Sequence, residues 1–440
     1  MRGANEMDGV VGVTQIAIPA RSTFTYEFQI SDTQIGTFWY HSHSALQRAD
    51  GLYGGLVIHQ PIEAGVNEVA KYQYEDDMLL MIGDWYHSPA EKVMEGYDNH
   101  DSWGREPVPD SILVNGKGAY NCSMAVPSRP LESLSGIILS MPYKQMSVFR
   151  VDGGGELEPS PYSSSIGILY PGERMDFLLN WDHGPYNSES FLSITLDKEN
   201  FAMGNKALAS IHNFPISSHP YHRNVKRGHS FRPTQFQGGE GYFNISSAFV
   251  PVLPSKLMPA VADQTILLYT KIEVLARLSN APRGFINRTT WAPQASPNKP
   301  LIELHRSEWD KNQLVPWVGL EDSSKTKWVD IVVNNLDEKG HPFHLHGYDF
   351  YILSSYQPQT RGWHAYNPFD PSTTLEGPSY NLVNPIRKDT VYIPGQGYVV
   401  LRFLADNPGI WFFHCHIIWH HGTGMAMALE VGFESEISVK

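Results

Sequence analysis

The sequence is poor in cysteine, in basic clusters and in long apolar runs. Its 440 residues contain only Cys122 and Cys415, so no disulfide framework can stabilise the fold. The formal net charge of −13, with no offsetting Lys/Arg cluster, argues against a nucleic-acid partner. Because no apolar run reaches the roughly 18 residues of a membrane span, we expect no membrane partner. An acidic, soluble enzyme or binding protein is the broad class that remains.

Targeting signals are equally sparse. The N-terminus lacks the charged-then-apolar layout of a signal peptide, so either the protein stays inside the cell or its true beginning is missing. The sequons at Asn121, Asn244 and Asn287 are nevertheless compatible with a secreted glycoprotein.

Short β-rich runs recur along the whole chain, among them "TFTYEFQI", "MDFLLNW" and "TKWVDIVVNN". The chain also contains 37 Gly and 31 Pro, residues that favour turns between strands. Together these features predict an all-β protein of several sandwiches. Polar or Pro/Gly-rich stretches at 62–75 and 214–245 predict breaks between segments. We therefore predict three segments: 1–66, which is too short for a complete sandwich, 67–230 with its linker, and 231–440.

Histidines are concentrated in three groups along the chain. These are His41 and His43 in "HSH", His341, His344 and His346 in "HPFHLH", and His414, His416, His420 and His421 in "HCHIIWHH". Imidazoles gathered in this way are ligands for Cu, Zn, Fe or Ni. The sequence therefore predicts metal binding, with His421 set aside as a bystander.

The tripeptide around Cys415 has a special geometry. On an extended segment, side chains at i and i+2 point to the same face. His414 and His416 therefore face one way and Cys415 the other, so the tripeptide can contact two metal sites at once. On the Cys415 side, His341, His420 and Met425 complete two His, one thiolate and a thioether, the set of a blue-copper site. Structural zinc is the competing interpretation.

Several stretches resemble the multicopper oxidase family, and within it the fungal laccase-like members. They include "HSHSALQRADGLYGGLVI", "PDSILVNGKG", "HPFHLHGYDFYIL" and "HCHIIWHHGTGM". The resemblance implies tandem cupredoxin-like Greek-key β-sandwiches, three in number with the first incomplete. It also implies four copper ions in an intact member, of which the type 1 copper is the best supported here.

The resemblance also implies a role for each ligand. Type 1 copper takes His341, Cys415, His420 and Met425, and type 2 copper takes His344. The type 3 coppers take His43, His346 and His414 on one side, and His41 and His416 on the other. By the same resemblance, Asp8 is the carboxylate that hydrogen-bonds solvent at the cluster and helps deliver protons to oxygen.

The chain departs from the family at its beginning. The family carries a His-Trp-His-Gly motif that supplies two further cluster histidines, and this sequence does not contain it. The first residues resemble the segment just downstream of that motif. We therefore expect an N-terminally truncated gene model, with a naturally degenerate paralogue as the alternative.

The expected function is a laccase-like oxidase that couples one-electron oxidation of phenols, such as pigment or secondary-metabolite precursors, to four-electron reduction of O2 to water. Electrons are expected to enter through an exposed His420 or His341 and to pass from Cys415 to His414 and His416. A ferroxidase or ascorbate-oxidising relative is one alternative. A type 1 copper protein unable to reduce O2 is another. The resemblance further implies a monomer that is secreted or held in the cell wall.

Overall fold

Strands dominate the computed structural model, which describes residues 1–60, 68–120, 136–181, 190–197, 208, 210–216, 258–321, 325–360 and 362–433. The strands are β1 (Gly36–His41), β2 (Tyr53–Ile58), β3 (Ile82–Trp85), β4 (Ser111–Val114), β5 (Ile137–Ser140), β6 (Gln145–Val151), β7 (Ser165–Leu169), β8 (Met175–Asn180), β9 (Ser190–Leu196), β10 (Ile211–Ile216), β11 (Gln264–Val274), β12 (Pro282–Ile286), β13 (Trp317–Leu320), β14 (Lys327–Asn335), β15 (His341–Leu345), β16 (Phe350–Tyr356), β17 (Arg387–Lys388), β18 (Thr390–Ile393), β19 (Tyr398–Ala405), β20 (Gly409–Cys415) and β21 (Ala426–Phe433). The α-helices are α1 (Glu68–Tyr72), α2 (Ala90–Tyr97) and α3 (Ile418–Gly422), and 3₁₀ helices lie at Asn5–Met7, His100–Ser102, Ala276–Leu278, Leu301–Glu303 and Arg306–Glu308.

The C-terminal part is a sandwich of two sheets. One sheet has the order β12-β11-β14-β19-β16-β17, and the other has the order β13-β21-β20-β15-β18. Their facing side chains form one core that includes Ile331 on β14, Leu401 on β19, Phe343 on β15 and Phe413 on β20. Central strands such as β14 are buried along most of their length because both of their faces are covered.

The middle and N-terminal parts are smaller. The middle part contains a sheet with the order β10-β9-β5-β7 and the two-stranded sheets β6-β8 and β3-β4, packed around a second core. The N-terminal part contributes the antiparallel pair β1-β2. The all-β, cupredoxin-like prediction is confirmed. The segment boundaries stay predictions, and most of the expected linker at 214–245 lies outside the described residues, as does Cys122.

One predicted strand is wrong. The run "TFTYEFQI" at 23–30 has no strand assignment, and it pairs with no described strand. Its alternating side chains Phe24 and Phe28 stay 43% and 39% exposed. Strand propensity describes how well a side chain fits a half-buried pleated surface, so without a partner it does not produce a strand. Among the described helices, none is long and apolar enough to cross a membrane.

A buried ion pair joins the two central strands of the C-terminal sandwich. Asp330 on β14 lies directly opposite Arg402 on β19. Arg402 Nε and Nη2 donate to the two carboxylate oxygens at 2.6 and 2.8 Å, and Arg402 is fully buried. The guanidinium also donates to the carbonyl of Pro259. The pair therefore fixes the register of β14 against β19.

Asp330→Ala leaves the Arg402 charge buried without its partner. We expect the free energy of unfolding to fall by about 3–5 kcal/mol, measured by guanidinium unfolding followed through tryptophan fluorescence. The exposed pair Lys325–Glu321 provides the control, because its loss in Lys325→Met is expected to cost less than about 1 kcal/mol. A loss as small as the control's would show that the buried pair does not hold the register.

Candidate metal centres

The pairing of β15 with β20 gathers histidines from two distant stretches of sequence. His344 lies opposite His414, and Phe343 lies opposite Cys415. Because side chains alternate along a strand, Cys415 enters the sandwich core while His414 turns away from it. The rings of His344 and His416 lie 6.0 and 5.2 Å from that of His414. The described residues therefore hold donor groups on both faces of β20.

On the core side, His341, Cys415 and His420 form a compact donor set. Their ligand atoms all lie within 4.8 Å of one another. Cys415 Sγ is 3.6 Å from His420 Nδ1 and 4.0 Å from His341 Nδ1, and the two Nδ1 atoms are 3.1 Å apart. All three side chains are buried. Cys415 Sγ and the Nδ1 atoms of His341 and His420 therefore converge on one position, where a single ion can contact all three.

Carboxylates hold the far side of both rings in this set. His341 Nε2 donates to Asp337 Oδ2 at 2.8 Å, and His420 Nε2 donates to Glu106 Oε1. A carboxylate on one ring nitrogen fixes the proton there and leaves the other nitrogen free for a metal. The donor set thus fits a soft cation such as copper at Nδ1, Nδ1 and Sγ.

The same contacts set the charges at this centre. Burial opposes the ionisation of Glu106, but the charge of His420 lowers the Glu106 pKa to about 2. Burial likewise opposes the charged form of His420, yet Glu106 raises the His420 pKa to about 10, so a metal has to displace the Nδ1 proton of the metal-free ring. Burial raises the pKa of Cys415, but hydrogen bonds with His341 and His420 bring it down to about 7. The thiol is therefore poised to ionise, as metal binding requires.

Met425 is tied to this centre through its backbone. The Cys415 N–H donates to the Met425 carbonyl at 3.0 Å, and the Met425 N–H donates to the His420 carbonyl at 2.9 Å. Met425 is fully buried, and Gly284 allows the close approach, because a Cβ at Gly284 would lie 2.5 Å from the Met425 Cβ. Its role as axial ligand stays a prediction.

Across β20, His43, His346 and His414 form a second donor set with all ligand atoms within 4.8 Å. His346 Nδ1 donates to Asp8 Oδ2 at 2.8 Å and His414 Nδ1 donates to the Cys415 carbonyl at 2.9 Å. Their Nε2 atoms consequently face each other as lone pairs 3.3 Å apart. Burial lowers the pKa of all three imidazoles, so they are neutral. Converging neutral lone pairs fit a bound cation.

The other predicted cluster histidines surround this second set. The ring of His41 lies 4.5 Å from that of His43, and His41 Nδ1 donates to the Ser42 carbonyl at 3.2 Å. His344 Nδ1 donates to the Asp389 carbonyl at 2.9 Å. The assignments of His41 and His416 to type 3 copper and of His344 to type 2 copper stay predictions.

Three residues near the centres have roles that the sequence analysis missed. Asp337 stands four residues before His341, a spacing that could have been noticed. Glu106 and Arg48 come from segments 314 and 368 positions away from the histidines that they contact, so only the fold reveals them.

His421, which the sequence analysis set aside, also lies at the second set. Its ring is 4.7 Å from that of His414 and 5.9 Å from that of His43. Burial lowers its pKa to about 3, so it is a neutral imidazole packed against the cluster. It is a neighbour of the candidate ligands rather than a surface residue.

Comparisons with known proteins agree with this geometry. Three family models, each described as multicopper oxidase, match residues 1–63, 76–207 and 298–434. "Laccase-1" of Cryptococcus neoformans var. grubii is 30% identical over 96% of this chain and 69% of its own length. "Iron transport multicopper oxidase fetC" of Epichloe festucae is also 30% identical, over 96% of this chain and 65% of its own length.

Solved structures show the same likeness. The crystal structure of the laccase from Botrytis aclada matches with a TM-score of 0.69 and 25% identity, over the whole of this chain and 77% of that one. The structure of Fet3p, described as a multicopper oxidase that functions in iron import, matches with a TM-score of 0.72 and 23% identity over 98% and 78%. With these matches and the two donor sets around Cys415, the chain belongs to the multicopper oxidase family, the copper-dependent oxidoreductases that use O2.

Proposed function

We propose that the chain is a laccase-like oxidase that takes single electrons from phenols on the Cys415 side and delivers them to O2 on the His414 side. The observation that carries this proposal is the hydrogen bond from His420 to Glu106, which places a carboxylate at the outer edge of the first donor set. Copper bound by the two sets supplies the one-electron redox chemistry.

The entry point differs from the sequence-based expectation. His341 and His420 are 1% and 2% exposed, so an exposed histidine as electron entry is wrong. The carboxylates beyond them reach further out, since the side chains of Glu106 and Asp337 are 10% and 17% exposed. A reductant therefore meets a carboxylate first, and the hydrogen bond connects that carboxylate to the imidazole.

Glu106 suits a phenolic reductant. Oxidation of a phenol by one electron gives a phenoxyl radical and releases one proton. Because the Glu106 pKa is about 2, its carboxylate is ionised at neutral pH and accepts a hydrogen bond from the phenol O–H. The same carboxylate thus orients the phenol and stabilises the developing positive charge.

Beyond the first donor set, the backbone links the two faces of β20. Cys415 is covalently adjacent to His414, and the Cys415 carbonyl accepts the His414 Nδ1–H at 2.9 Å. The connection between the two sets is therefore one residue long. Asp8 accepts the hydrogen bond of His346 Nδ1 and so orients one ring of the second donor set. The role of Asp8 in proton delivery stays a prediction.

Glu106→Gln keeps the shape of the side chain but removes its charge. We expect kcat/KM for a substituted phenol to fall about 10- to 100-fold, because a charge-assisted hydrogen bond contributes roughly 1.5–3 kcal/mol. The blue absorption of the Cys415 centre should persist. Glu91→Gln, at an exposed position on α2, is the matched control. An unchanged kcat/KM in Glu106→Gln would contradict the proposal.

A second candidate reductant is ferrous iron, which the two carboxylates favour. Asp337 and Glu106 each accept from one histidine of the same donor set, and oxygen ligands of opposite charge attract a divalent cation. A phenol needs only Glu106, whereas a cation gains from both carboxylates.

Asp337→Asn separates the two candidates. Because Asp337 also holds the His341 ring, the variant is assayed at saturating copper and the two reductants are compared with each other. For a phenol oxidase, we expect kcat/KM for the phenol and for Fe(II) to fall by the same factor, within about threefold. A fall for Fe(II) that is at least tenfold larger than for the phenol, together with higher initial kcat/KM for Fe(II), would instead identify iron as the reductant. Oxygen consumption with each reductant is the measurement.

Asp8→Ala removes the acceptor that fixes the His346 ring. We expect copper affinity of the His43, His346 and His414 set to fall about 10- to 100-fold, the usual effect of losing such a partner. Copper content after chelator competition is the measurement, and the blue absorption at Cys415 should not change. Asp32→Ala, at an exposed position, is the control. Equal copper retention in both variants would exclude this role for Asp8.

A further inference from the structure

The side chain of Arg174 joins the three parts of the chain beside the second donor set. Its Nη1 and Nη2 donate to Asp389 Oδ1 and Oδ2 at 2.6 and 2.5 Å, in the C-terminal part. Its Nε donates to the Thr37 carbonyl on β1 at 2.9 Å, in the N-terminal part. Nη1 also donates to the Gly172 carbonyl at 3.0 Å, in the middle part to which Arg174 itself belongs. One guanidinium therefore connects all three parts.

These contacts require a guanidinium. The acceptors are the two carboxylate oxygens of Asp389 and two backbone carbonyls. Arginine presents five N–H donors in a rigid planar fork, whereas the lysine ammonium has three donors on a flexible stem. The side chains of Arg174 and Asp389 are each only 9% exposed, so water does not readily replace a lost contact. A lysine at this position would keep the charge but leave some of the contacts unmade.

A second buried carboxylate, that of Asp152, reinforces the junction. Asp152 Oδ1 accepts from the Arg174 N–H at 2.9 Å. Asp152 Oδ2 accepts from the N–H groups of Asp389 and Thr390 at 3.4 and 3.2 Å. Asp152 thus ties the backbone that carries Arg174 to the backbone that carries Asp389, and the ion pair lies between two segments that are already held together.

The junction reaches the candidate donors from two sides. Strand β1 leads, two residues beyond its end, to His43. On the other side, His344 Nδ1 donates to the Asp389 carbonyl at 2.9 Å, and the His344 ring lies 5.0 Å from that of His346. The second donor set combines His43 of the N-terminal part with His346 and His414 of the C-terminal part. It can form only when these two parts are held in a fixed relation.

We propose that Arg174 is a positioning residue for the second donor set, because it fixes β1 against Asp389 and so brings His43 to the histidines of the C-terminal part. Among the described residues, the middle part supplies no donor to either set. Through Arg174 it nevertheless takes part in assembling the second one. This inference goes beyond the proposed function, since it does not depend on which reductant the protein oxidises.

Arg174→Lys keeps the positive charge but cannot make all four contacts. We expect the copper affinity of the second donor set to fall about 10-fold, the lower end of the effect of losing a partner that orients the ligands. Copper retained per chain after chelator competition is the measurement, and the blue absorption at Cys415 should not change. Other contacts still dock the N-terminal part, such as Asn5 Nδ2 with the Ile410 carbonyl at 2.7 Å, so we expect the variant to fold.

Arg150→Lys is the matched control. Arg150 is also buried, belongs to the middle part and packs against β1, since a Cβ at Gly36 would lie 2.8 Å from Arg150 Cδ. Its carboxylate partners are Glu68 and Asp176, at 2.8 and 3.2 Å, and not Asp389. The control therefore disturbs packing against β1 without removing the contact to the C-terminal part. We expect it to retain copper as the unmodified chain does.

Asp389→Asn tests whether Arg174 acts through Asp389. The change removes the charge of the carboxylate but keeps the carbonyl that accepts from His344. We expect the same fall in copper affinity as in Arg174→Lys. The double variant should fall no further than about twofold beyond either single variant, because two changes that break one interaction are not additive.

Amide hydrogen exchange of the metal-free chain reads the junction without copper. In Arg174→Lys we expect faster exchange of the Asp389 and Thr390 N–H groups, which Asp152 accepts, and unchanged exchange in β20. In Arg150→Lys these two amides should exchange as in the unmodified chain.

Any of four results would overturn the proposal. They are full copper retention in Arg174→Lys, an equal loss in Arg150→Lys, additive losses in the double variant, and an unmodified chain that retains no copper beyond the Cys415 centre. Should Arg174→Lys fail to fold, Asp389→Asn decides, because full copper retention there contradicts the proposal. None of these readings depends on oxidase turnover, so a failed activity assay would not be mistaken for a failed proposal.

Discussion

The alternation of side chains along one strand is the constraint on which the candidate centres depend. At the end of β20, Cys415 is turned into the sandwich core and His414 away from it, while the backbone between them is continuous. A helix could not do this, because its neighbouring residues are separated by about 100° rather than placed on opposite faces. The pleat of a strand therefore gives two centres the shortest covalent connection available to a protein.

Each centre also depends on partners that hold the outer nitrogen of its histidines. Asp337 and Glu106 do this for the Cys415 centre, and Asp8 does it for His346. These contacts keep ring protons away from the metal-facing nitrogen. His416 has a different partner, because Arg48 contacts both its Nδ1 and its carbonyl.

The sequence predicted which donor side chains the fold brings together because the relevant signals are local. The spacings His41/His43, His344/His346 and His414/His416 show directly which side chains share a face of an extended segment. Glu106 and Arg48 were missed because each meets its partner only through the fold, across more than 300 residues. The strand predicted from "TFTYEFQI" failed for a related reason, since a strand needs a partner that local sequence does not reveal.

The contact between Glu106 and His420 has a thermodynamic consequence for the whole molecule. Glu106 lies between β3 and β4 of the middle part, whereas His420 belongs to α3 beside the C-terminal sandwich. An ion held by His420 prefers the form in which the two parts are docked, so binding and docking are linked. Because all three donor residues lie in the C-terminal part, this linkage equals the affinity lost with Glu106, about 10- to 100-fold or roughly 1.4–2.7 kcal/mol. Copper would then act as a clamp between parts of the chain that share no covalent cross-link among the described residues.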